Sequence, residues 1–113
     1  MVNQPDHQFI LIVPPTGLLE VIHADRPIDP EFTLRARGED GNFMRLTCGK
    51  VTCSWFNQDW GTLNPRARTV FARIAQVHFI FTGPVLFEGI EEDLMGEIVG
   101  QLSLRETAGG STS

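Results

Sequence analysis

Three sets of side chains in this sequence have types and spacings that chemistry could use. The first is His23, Asp25 and Asp29 in the stretch HADRPID. A histidine two residues from an aspartate can hold a divalent metal or orient a general base. Aspartates among prolines also arise as plain turn chemistry, because their carboxylates accept hydrogen bonds from nearby backbone, and that reading suffices for these residues. The second set is Glu88, Glu91, Glu92 and Asp93. Clustered carboxylates can do acid/base work, yet acids at a helix start also favour the positive end of its dipole. The third set is Asn64, Arg66, Arg68 and Arg73, with Trp60 close by. Guanidinium groups beside the open N–H groups of a helix start suit a phosphate or carboxylate partner, and an indole adds a stacking surface.

Other signals for catalysis are missing. The chain has no G-x-S-x-G elbow, no P-loop, no G-x-G-x-x-G after a strand and no H-E-x-x-H. Tyrosine is absent, no serine neighbours a candidate base, and His78 reads as a structural histidine. Cys48 and Cys53 lack the second ligand pair of a zinc ribbon, so a reduced thiol pair is expected. No catalytic residue, metal site or cofactor is therefore assigned.

Length and charge narrow the partners. The 113 residues suffice for one core, expected as a single domain over 1–106 with a disordered tail at 107–113. A net charge of −5 disfavours a general nucleic-acid binder, which needs a dominant basic surface. The charge is segregated: residues 60–87 carry three arginines and no acid, whereas 88–113 carry six acids and one base. That pattern fits a neutralising contact between the two segments inside one fold. The longest apolar runs are far below the roughly 18 residues of a spanning helix, and no secretory signal opens the chain, so a cytoplasmic location without membrane contact is expected.

The elements that must position these residues follow from periodicity. HQFILIV (7–13) reads as a strand buried on both faces, turned by PPTG into a returning strand LLEVIHA (18–24). EFTLRAR (31–37) alternates as a half-buried strand with Phe32, Leu34 and Ala36 inward. FMRLTCGKVTCSWF (43–56) sorts best as a hairpin with Gly49-Lys50 at a type II′ turn, setting Cys48 against Val51, Thr47 against Thr52 and Leu46 against Cys53. Met44, Leu46, Cys48, Val51, Cys53 and Trp55 then share the apolar face.

Asn64 as N-cap and Pro65 at the first helical position start a helix over 65–76, with Ala67, Val70, Phe71, Ile74 and Ala75 on its apolar stripe. VHFIF (77–81) and VLFEGI (85–90) read as a further hairpin. A C-terminal amphipathic helix over 91–104 presents Leu94, Met95, Ile98, Val99 and Leu102. Gly96 and Gly100, four apart in that helix, invite the close approach of this fold's own sheet or of a second subunit.

The expected fold is thus α+β: an antiparallel twisted sheet or partial barrel of six or seven strands with these two helices. Its element order resembles OB-type modules, which would imply a single-stranded nucleic-acid partner stacked on Trp55 and Trp60. The leading expectation is a non-catalytic binding or assembly module, acting through homo-oligomerisation or as a subunit of a larger complex. The alternatives are a small ligand-binding or enzymatic domain with an anion site at 64–68, and the OB-type accessory module.

Overall fold

The structure, a computed structural model, describes the backbone of residues 8–58 and 61–111, with side chains over 9–58 and 61–102. Among the described residues, five strands form one open antiparallel sheet. They are β1 (Gln8–Val13), β2 (Glu20–Ala24), β3 (Asn42–Cys48), β4 (Val51–Asn57) and β5 (Val85–Glu88). Three helices accompany them: α1 (Pro30–Arg35), α2 (Pro65–Ala75) and α3 (Glu92–Ser111). The strand order is β2-β1-β5-β4-β3, so β5, last in sequence, fills the centre between the two hairpins. No helix among the described residues is long and apolar enough to cross a membrane.

Helices cover both faces of the sheet, and β1 shows why its apolar run is unbroken. Leu11 and Val13 join one core with Val51, Cys53, Trp55, Val85 and Phe87, roofed by α2 and α3 through Val70, Phe71, Met95 and Ile98. Ile10 and Ile12 join a smaller core with Phe56 and Leu86, roofed by Leu34 of α1. All four β1 residues are buried, as a central strand covered on both sides requires.

Two of the three hairpins expected from the sequence are present. β1 pairs with β2 from Gln8↔Ala24 to Ile12↔Glu20. β3 pairs with β4 in the expected register, including Cys48↔Val51, Thr47↔Thr52 and Leu46↔Cys53. Gly49 takes a φ of +63°, the conformation that the first central position of the turn needs. The two cysteines are free thiols, and burial together with neighbouring Cys48 pushes the Cys53 thiol up to about 12.

Four expectations are corrected. Residues 31–37 are not a strand, because Asp29 and Pro30 start a helix there. The Asp29 carboxylate accepts from the Phe32 N–H at 3.2 Å, and Glu31 and Arg35 pair one turn apart at 3.0 Å. Only Leu34 of the supposed inward set is buried, while Phe32 is 70% exposed. Residues 77–81 do not form a strand either: β1 and β4 already occupy both edges of β5, leaving a single bridge between Leu63 and Thr82. The sheet therefore has five strands, not six or seven, and it is open, so the resemblance in element order to a barrel module has no counterpart in topology. The C-terminal helix also runs from Glu92 to Ser111, beyond its expected end at 104; residues 112 and 113 lie outside the described residues.

Candidate binding surface at the start of α2

Asn64 is the keystone of the region, and its side chain bonds three separate segments. Its Oδ1 accepts from the Ala67 N–H at 2.9 Å, which caps α2. Its Nδ2 donates to the carbonyls of Val13 and Gly83, both at 2.8 Å, and so joins the end of β1 and the turn before β5 to the helix start. The residue is only 2% exposed. A backbone ladder holds the same region: the Asn64 N–H donates to the Phe81 carbonyl and the Gly83 N–H to that of Thr62. Asn64 is thus a scaffold for whatever surrounds it: both of its N–H donors are spent and its burial closes it to a ligand.

The arginines separate into different roles. Arg66 donates from Nη1 to the Pro14 carbonyl at 3.2 Å, fastening the first turn of α2 to the Pro14-Pro15 turn. Arg73 lies two turns further along and reaches α3, donating to Glu97 Oε1 at 2.6 Å and Gln101 Oε1 at 2.8 Å. This is the neutralising contact between basic middle and acidic C-terminal segment that the charge pattern implied. It removes Arg73 from any anion site at the helix start. The Arg68 side chain is exposed and makes no hydrogen bond or ion pair among the described residues. Trp60 lies outside the described residues.

Beside Arg68 the surface is apolar. Leu63 and Ile80 stand 63% and 68% exposed around a shallow depression of about 170 Å³, floored by Phe81 and edged by Pro65. Sequence reasoning missed both aliphatic residues. The signal for Ile80 was present in VHFIF, where Val77, Phe79 and Phe81 turn inward and His78 and Ile80 outward. Phe79 and Phe81 meet Trp55 at 5.3 and 4.9 Å, near-perpendicular to its ring in the second case. Trp55 is thereby buried and is no stacking platform for a base.

The remaining candidates disperse. His23 stacks on Phe9 at 4.8 Å, Asp25 lies 3.8 Å from Arg26, and Asp29 caps α1. Among the described residues no group of three or more His, Cys, Asp or Glu could hold a metal ion. Burial raises the Glu88 carboxyl above its ordinary range, with Arg45 opposing from 3.9 Å, while Glu91, Glu92 and Asp93 sit exposed at the start of α3. Gly96 and Gly100 are exposed, and a Cβ at either would meet nothing within 4 Å. Close packing of those glycines on this fold's own sheet is excluded.

No protein-family model, curated protein or solved structure matches the chain.

Proposed function

We propose that this chain is a non-catalytic binding module that acts as a subunit of an assembly, through the surface formed by Leu63, Arg68 and Ile80. One observation carries the reading: two large aliphatic side chains stand in solvent beside a guanidinium that bonds to no described residue, on a backbone tied to β1 and the turn before β5 by Asn64. Exposed apolar area with an arginine at its edge is the composition of a protein interface core and rim. The partner it suits offers an aliphatic or aromatic anchor and a carboxylate. The Gly96/Gly100 face is a weaker version of the same proposal, since those glycines leave room for a second subunit but nothing near them favours one.

Native mass spectrometry of the untagged protein tests this, with Ile80→Asp and Gly96→Ala/Gly100→Ala as variants. The expected result is an assembly that Ile80→Asp dissociates without lowering the melting temperature. The double alanine variant should assemble normally and gain about 1 kcal/mol per site from helix propensity. Loss of assembly in the alanine variant would move the interface to α3. A single-chain species carrying a reproducible small adduct would instead favour the ligand-binding reading of the 64–68 region.

A further inference from the structure

The opposite end of the sheet carries a feature that complements this surface. Between the β3–β4 turn, the last turn of α2 and the first turn of α3 lies a pocket of about 470 Å³. Its walls include Val51, Ile74, Ala75, Ile90 and Leu94, and Glu91 stands at its rim. A cavity of about 150 Å³ already holds a benzene-sized body, so this one admits a large aliphatic side chain with room to spare. Its floor is fixed by Gly89, whose φ of +87° and lack of a Cβ let the Lys50 carbonyl oxygen approach its backbone. Neither Lys50 nor Glu91 pairs through its side chain with any described residue.

The strand register places the two features at opposite ends. β4 and β5 run antiparallel with Thr52↔Glu88 at one end and Trp55↔Val85 towards the other. Lys50 and Gly89 lie beyond the first pair, and Leu63 and Thr82 beyond the second. α2 spans the distance, from Pro65 beside Arg68 to Ala75 in the pocket wall. One end therefore presents projecting aliphatic residues with a cation. The other presents an apolar hollow edged by the Glu91 carboxylate on the α3 side and by Lys50 on the β3–β4 turn.

We infer that the occupant of this pocket is a second copy of the chain, docked head to tail, with Ile80 and Leu63 of one copy in the pocket of the next and Arg68 paired with its Glu91. The inference rests on the proposed assembly role and adds the partner and the geometry. Shape and charge complement each other between different patches, so the contact is heterologous and propagates from copy to copy. Lys50 remains at the rim, its flexible stem keeping the ammonium in water. Cys48, which also lines the pocket, becomes a reporter of occupancy.

Two variants that each break one side give a decisive test. Ile80→Asp removes the projection and keeps the pocket; Ala75→Phe fills the pocket and keeps the projection. Glu91→Arg, at an exposed position, replaces Ala75→Phe if the latter lowers the melting temperature. By sedimentation velocity, the wild type should show a concentration-dependent series of species, each variant alone should associate at least tenfold more weakly, and an equimolar mixture should form a 1:1 dimer that grows no further. Maleimide labelling of Cys48 should slow in the mixture only on the Ile80→Asp copy. A wild type that is monomeric at its highest soluble concentration overturns the inference, while a different partner on the Ile80 surface would still satisfy the assembly role. A wild type that associates but whose mixed variants stay apart also overturns it, because the intact projection of one variant and the intact pocket of the other then fail to complement each other.

Discussion

The molecule starts two helices with the same device, an oxygen-bearing cap followed by proline, and embeds them to very different depths. At α2 the cap Asn64 is buried and bonds three separate segments: its own helix, the end of β1 and the turn before β5. At α1 the cap Asp29 is exposed and serves only its own helix, through the Phe32 N–H and the Thr33 hydroxyl, which donates to the Asp29 carbonyl. α2 buries Ala67, Val70 and Phe71; α1 buries Leu34 alone. An amide can donate and accept at once, whereas a carboxylate only accepts, so only the asparagine can cap a helix and hold two carbonyls. The comparison shows that a cap's contribution depends less on the motif than on what else its side chain must satisfy.

Asn64→Ala breaks the comparison most severely. It removes a cap and strands two carbonyls with reduced access to water, a loss of roughly 3–5 kcal/mol. Asn64→Asp keeps the cap but sets a carboxylate against the Val13 and Gly83 oxygens, so it should be equally damaging. Urea denaturation at constant m-value reads both. An aspartate variant as stable as the wild type would show that capping is all Asn64 does. Next comes Leu34→Ala, at about 3 kcal/mol for deleting the side chain by which α1 roofs the smaller core. Phe32→Ala, two residues earlier, should change stability by less than about 0.5 kcal/mol. Equal losses at 32 and 34 would restore the strand reading of 31–37.

What could be read in the sequence divides along the same line. The β3–β4 register was legible because one pairing sorts nearly every residue from Phe43 to Phe56 by face. α2 was legible because eleven residues give period 3.6 three turns in which to declare itself. α1 has six residues, too few for the helical period to defeat the alternation of Phe32, Leu34 and Ala36, and only the Asp29-Pro30 pair marked it. The alternation in 77–81 was real, but whether it becomes a strand depends on β1 and β4 already flanking β5, which no local pattern encodes. At the candidate surface, Asn64 was legible as a cap and invisible as a tie between β1 and Gly83. Arg73 looked like part of an anion site because Glu97 and Gln101, its partners, lie on a helix that sequence spacing does not bring near.

Asp29→Ala is the smaller counterpart of the asparagine change, at about 1 kcal/mol, because it costs one exposed cap and strands no other segment. The far side of α1 is held by a still weaker link. Just past the helix, Arg37 donates from Nε to Glu20 Oε1 at 2.9 Å and from Nη2 to Oε2, tethering the segment to edge strand β2. Those hydrogen bonds, aided by the Arg37 charge and opposed by slight burial, hold the Glu20 carboxyl below its ordinary range. The folded state then binds fewer protons than the unfolded one between the two values, so this contribution is complete at neutral pH and is lost as pH falls through the folded value. Glu88 runs the other way: burial raises it, so the stability linked to its proton is lost as pH rises through the folded value. Glu20→Gln should remove the first slope at a cost of about 0.5 kcal/mol at pH 7, discounted for exposure, and Glu88→Gln should remove the second and leave stability at pH 7 equal or higher. Urea midpoints of the two variants between pH 3 and 7 should therefore diverge from the wild type in opposite senses; parallel curves would mean that Arg37 does not hold α1 to the sheet edge.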